Sequence, residues 1–110
     1  FKDMKCSIGA NNDLKPIDDE KLRLAAETLK AVAHPVRLRI IEILEKGEKS
    51  VTQICAKLGT KQSLTSQQLN RMKDKGVLNS RREGNLVYYS IANPRVIKVI
   101  HCIRQSAEDL

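Results

Sequence analysis

Residues 50–76 read SVTQICAKLGTKQSLTSQQLNRMKDKG, and the apolar spacing inside this stretch decides the architecture. Ser50 and Gln53 have the spacing of a capping box, in which hydroxyl and amide each satisfy a free backbone group at a helix start. Val51, Ile54, Cys55 and Leu58 then recur on one helical face, and Gly59 supplies a left-handed exit. A longer helix follows from Lys61 or Gln62 to Lys75, with Thr65, Leu69 and Met72 facing in and Gly76 ending it. Its opposite face presents Ser63, Ser66, Gln67 and Asn70, with Gln62 at the leading end and Lys61, Arg71 and Lys73 as cations around it. Short polar side chains suit base edges, while cations suit phosphates. The stretch reads as a helix-turn-helix that binds DNA.

Downstream, the period changes. Val77 to Arg82 and Leu86 to Ile91 are extended runs joined by Glu83-Gly84-Asn85, which predicts a β-hairpin carrying Arg81 and Arg82. Asn93-Pro94 then opens a last helix with Val96, Val99, Ile100 and Ile103 on one stripe.

Upstream, Pro35 to Lys46 forms a helix with Val36, Ile40, Ile43 and Leu44 on one side. Leu38 and Ile41 widen that stripe enough to place it at the centre of the core, and Gly47 ends it. His34 caps the junction before Pro35, which fits a first helical turn because its missing N–H is no loss there. An earlier helix starts after Pro16 at the acidic cluster Asp18, Asp19 and Glu20, where negative charge favours the positive end of the helix dipole. Leu22, Ala25, Ala26, Leu29, Val32 and Ala33 make it amphipathic. Residues 1–15 have no periodicity and read as a flexible tail, and residues 16–110 as one domain. The predicted fold is mostly α with a small β-hairpin: a winged helix-turn-helix of order α-α-α-α-β-β-α.

Composition agrees with a nucleic-acid partner. At 110 residues there is room for one modest core, and with 3% aromatics and no Trp that core is aliphatic. The net charge of +7 is uneven. Residues 1–60 carry 11 Lys/Arg against 9 Asp/Glu, whereas residues 61–98 carry 8 against 2. A positive field concentrated on one segment points to a polyanion. No apolar run is long enough to cross a membrane, and FKDMKCSIGANND lacks the apolar centre of a signal peptide, so a cytoplasmic location is expected. Phe1 is not an initiator residue, so further residues are expected ahead of it. There is no Gly-rich phosphate loop, metal motif or nucleophile–base pattern, and the chain is not expected to be an enzyme or to hold a resident cofactor. The rival to DNA binding is a protein-interaction module built on the same fold.

AVAHPVRLRIIEIL, then the stretch quoted above through Leu78, then SRREGNLVYYSI together resemble the ArsR/SmtB family of bacterial winged-helix repressors. The likeness covers about residues 25 to 100, with its blocks in the family's order. It implies a homodimer joined through its first and last helices. It also implies a palindromic DNA operator, released when a metal, metalloid or oxidant meets the protein. Lys61 stands where relatives usually have serine, and Gln68 where they often have histidine; both keep DNA-contact chemistry but alter the operator expected. Where metal-sensing relatives place a cysteine pair on the short helix, this chain has Ser50 and Thr52. Positions corresponding to last-helix ligands hold Asn93, Arg95, Ser106 and Asp109, and Glu42 replaces the second-helix cysteine of persulfide sensors. A single carboxylate among the four makes no zinc site.

None of the family's known sensor patterns is intact, and the three cysteines are the remaining candidates. An odd count in a reducing compartment is not a disulfide framework. Cys55 reads as packing within the short helix. Cys102 lies with Arg95, Lys98 and Ser106, off the apolar stripe, where cations favour the thiolate, and Cys6 in the tail could reach another thiol. Cys6 and Cys102 are thus candidate thiol sensors, against the plain reading of incidental surface thiols. Alternatively Cys6, Cys55 and Cys102, drawn from two chains, could form a trigonal site for a soft ion such as arsenite. His34 and His101 read as structural.

Overall fold

The computed structural model describes residues 15–108. Among the described residues, five helices and three strands follow in the order α1 Asp19–Val32, α2 Pro35–Leu44, β1 Lys49–Ser50, α3 Val51–Leu58, α4 Gln62–Asp74, β2 Leu78–Glu83, β3 Leu86–Ile91 and α5 Arg95–Ala107. All of the predicted tail but Lys15, Cys6 included, lies outside the described residues, as does Asp109.

Local chemistry places the helix ends. The Asp18 carboxylate accepts from the Glu20 N–H at 3.2 Å, with Asp19 and Glu20 in the first turn of α1. His34 Nδ1 accepts from the Val36 N–H at 3.2 Å, and Pro35 opens α2. Both halves of the Ser50–Gln53 capping box form: Gln53 N–H donates to Ser50 Oγ at 3.2 Å, and Ser50 N–H to Gln53 Oε1 at 2.9 Å. Such a cap contributes about 1 kcal/mol. At the far end of α4 the Gly76 N–H donates to the Lys73 carbonyl and the Val77 N–H to the Met72 carbonyl, both at 2.9 Å. This is a complete Schellman stop, and Gly76 adopts the positive φ of 79° that it requires. Met72 and Val77 enter the core together there.

Ile40, Ile41 and Leu44 of α2, Ile54 of α3, and Leu69 and Met72 of α4 pack with Val77, Leu78, Tyr89, Val96 and Ile100 into one core. The central position expected for α2 is borne out.

Three features differ from the sequence reading. The sheet has three strands in the order β1-β3-β2, because Lys49 and Ser50 pair antiparallel with Tyr89 and Tyr88. Two residues have no period to detect, and Ser50 already announces a helix, so only tertiary pairing reveals this strand. Secondly, the apolar stripe of α1 is uncovered: its buried residues are Ala31 and Val32, while Leu22, Leu24 and Leu29 are 48%, 46% and 51% exposed. The stripe of α5 likewise divides, with Val96 and Ile100 buried and Ile103 exposed. Thirdly, Cys55 is half-buried rather than part of the core.

A groove of about 630 Å³ lies between α1 and α5, lined by Ile17, Leu22, Leu24, Leu29 and Val99 among others. No described helix is long and apolar enough to cross a membrane.

Candidate nucleic-acid interface

The turn between α3 and α4 is held by hydroxyls. Thr65 is buried, and its Oγ1 meets the Thr60 Oγ1 at 2.8 Å. A buried hydroxyl left without such a partner would cost about 1–3 kcal/mol. The Cys55 thiol donates to the Thr60 carbonyl at 2.8 Å across the same turn. Cys55 therefore helps shape the bend, a role compatible with the packing reading.

From this turn α4 emerges with Thr65, Leu69 and Met72 buried beneath it. At 3.6 residues per turn, Ser63, Gln67 and Asn70 then point away from the core, and all three are exposed. Gln62 is exposed at the leading end, and Ser66 is half-buried on the flank. Lys61 sits at the N-cap position without a side-chain cap, which leaves first-turn N–H groups of α4 available to an anion. Lys61, Arg71 and Lys73 are all exposed. The structure thus gathers the sequence-chosen residues of α4 on its outward side and edges.

Arg81 and Arg82 separate in character. Arg81 donates from Nε and Nη2 to the two Glu48 carboxylate oxygens at 2.7 and 2.8 Å. Its guanidinium carbon also lies 4.6 Å from the centre of the Tyr88 ring, its cross-strand partner. Hydrogen bonding from Arg81 lowers the Glu48 carboxyl below its ordinary range. Arg81 therefore braces the hairpin against the residues leading into β1. Arg82 is exposed and makes no ion pair among the described residues. Sequence spacing cannot distinguish the two, because Glu48 lies 33 residues away from Arg81.

Two further contacts escape sequence reasoning. Arg37 of α2 donates through Nε to Gln68 Oε1 at 2.8 Å and through Nη1 to the Ala31 carbonyl at 3.0 Å. It ties the end of α1 to the flank of α4, so Gln68 faces α2 as well as solvent. On the opposite flank, the Tyr89 hydroxyl of β3 donates to Asn70 Oδ1 at 3.1 Å. Helix α4 is thus held from both sides.

The last helix is tied to α2 by charge. Arg104 Nη2 and His101 Nε2 approach Glu45 at 2.9 and 2.6 Å. Hydrogen bonding from Arg104, then from His101, brings the Glu45 carboxyl down to about 2. This pairing gives His101 the structural role expected of it. Cys102 is half-buried on α5. Among the described residues, no three His, Cys, Asp or Glu side chains come together as a metal site.

Comparison with known proteins agrees with this geometry. Residues 34–80 match the family model described as bacterial regulatory protein, arsR family. The transcriptional repressor PagR of Bacillus anthracis is 47% identical over 76 residues, which are 68% of this chain and 76% of that one. Among solved structures, the antimony-specific transcriptional repressor AntR superposes with a TM-score of 0.80 at 28% identity, covering 93% of this chain and 96% of AntR. A homodimeric winged helix-turn-helix DNA-binding domain, Mb0332 of Mycobacterium bovis, gives 0.68 at 30% identity, covering 87% and 92%. An outward polar helix, a basic wing and these relatives converge on one conclusion: the chain belongs to the arsR family of bacterial regulatory proteins, whose members are DNA-binding transcriptional regulators and not enzymes.

Proposed function

We propose that the protein is a homodimeric repressor that grips a palindromic operator with α4 and the wing of each protomer and is released by an oxidative, thiol-directed signal. The observation that carries the DNA half is the outward face of α4, where Ser63, Gln67 and Asn70 stand exposed among Lys61, Arg71 and Lys73. The uncovered groove of α1 and α5 supports pairing through those helices. An operator-bound regulator of this kind works in the cytoplasm. In this reading Gln67 contacts base edges and Arg82 contacts phosphate, while Arg81 holds the wing in position.

A salt series on duplex DNA tests it. Arg82→Ala weakens binding to all duplexes alike and shallows the slope of log affinity against log salt by roughly one per protomer. Gln67→Ala instead relaxes sequence preference with the slope unchanged. The reverse pattern would refute the assignment of roles.

For the signal, Cys6 and Cys102 are the proposed pair, Cys102 standing half-buried on α5. Treating the reduced protein with a thiol oxidant lowers operator affinity at least about tenfold, the scale of a typical allosteric coupling, and Cys102→Ser abolishes the response. A wild-type-like response in that variant excludes Cys102. The metalloid alternative draws on the resemblance to an antimony-specific repressor. It requires Cys6, Cys55 and Cys102 to converge, and arsenite titration without sulfur-to-metal absorbance ends it.

A further inference from the structure

We infer that Tyr89 fixes the amide of Asn70 with its NH2 toward DNA, making residue 70 a reader of hydrogen-bond acceptors in the operator. The inference rests on the DNA-binding reading above and deepens it to the polarity of one contact.

Tyr89 lies on β3, the middle strand, opposite Ser80 on one side and Lys49 on the other. The residue is 5% exposed, so its hydroxyl has little freedom to turn elsewhere. It donates to Asn70 Oδ1 at 3.1 Å. Burial, with the Asp74 charge, raises the phenol above its ordinary value, so the hydroxyl keeps its proton and remains a donor at neutral pH. An amide is planar, with an acceptor oxygen and a donor nitrogen diverging from one carbon. With Oδ1 turned to the strand and the residue itself exposed, Nδ2 is the amide atom left to meet a ligand. Rotation of the helix would not release this arrangement, because Arg37 holds Gln68 Oε1 on the other flank at 2.8 Å.

The chemical consequence is selective. Asparagine recognises adenine through a paired contact, accepting from N6 and donating to N7. The carbonyl oxygen keeps a second lone pair, but an oxygen turned to Tyr89 is poorly placed for that pairing, so Asn70 leads with its NH2. It offers donors, which fit guanine O6 and N7 or thymine O4. Tyr89 is then a positioning residue for specificity, although it lies in the wing strand and is buried.

The test selects a randomised duplex pool with wild type, Asn70→Ala, Tyr89→Phe and Asn70→Asp, and sequences what each retains. Asn70→Ala flattens one position in each half-site, and there wild type retains guanine or thymine. Tyr89→Phe fills the same volume but frees the amide, raising adenine at that position by at least about fivefold, the low end of what a paired base contact discriminates. Other positions are unchanged. Asn70→Asp still accepts from Tyr89 but offers no donor, and shifts the position toward cytosine, whose N4 donates. If Tyr89→Phe does not fold, the wild-type preference for guanine or thymine over adenine at the position flattened by Asn70→Ala decides the matter. The inference is overturned if wild type prefers adenine there, or if Asn70→Ala flattens no position. It is also overturned if both Tyr89→Phe and Asn70→Asp merely weaken binding evenly. A wild type that retains no sequence over another would instead overturn the DNA-reading assignment itself.

Discussion

Leu29→Glu converts the protein to a monomer and lowers operator affinity by about a hundredfold or more, the low end of the gain from joining two binding modules. Leu29 lies on the α1 stripe and is 51% exposed in the single chain. A glutamate there stays hydrated in the monomer, so the change leaves the fold of one protomer alone. In the proposed dimer the same position meets the partner's apolar surface, and an unpaired carboxylate resists transfer from water. Each half-site must then be bound separately. Sedimentation reports the mass and a titration with operator duplex reports the affinity. A dimeric Leu29→Glu protein with wild-type affinity would remove α1 from the interface.

The second large effect is on stability. Ile54→Ala costs about 2–5 kcal/mol, the range for emptying a fully buried aliphatic site. Ile54 is 0% exposed and is the buried residue of α3. Without it the short helix loses its anchor to α2 and α4, and the helix-turn-helix loosens with the core. Set against a total stability of about 5–15 kcal/mol, the loss is large. The thermal midpoint falls by at least about 8 °C, taking about 4 °C per kcal/mol for a domain of this size. The neighbouring exposed Lys57→Ala serves as control and shifts stability by less than about 0.5 kcal/mol. Both are measured at one protein concentration, because the midpoint of a dimer depends on it. Equal midpoints for the two variants would mean that Ile54 is not the anchor.

Much of the fold is legible in the chain because its signals are local. Ser50 with Gln53, His34 before Pro35, Gly59 and Gly76 each act within a few residues of where they stand, and each forms the cap that its spacing announces. The outward face of α4 is equally local, since the positions of Thr65, Leu69 and Met72 determine where Ser63, Gln67 and Asn70 must point. The spacing of Leu22, Leu29 and Val32 marks α1 as amphipathic, but a stripe does not say what covers it. Ala31 and Val32 meet the core of the same chain, whereas Leu22 and Leu29 do not.

The chain alone therefore determined the order of the helices and the hairpin, most of their ends, and the outward polar face of α4, because helix periodicity and capping are short-range physics. Only the tertiary structure decided which of two adjacent arginines is tied up by Glu48, how Lys49 and Ser50 extend the sheet, and which neighbours grip the flanks of α4. Those facts join residues far apart in sequence, and hydrogen-bond geometry across such distances exists only once the core has brought the elements together.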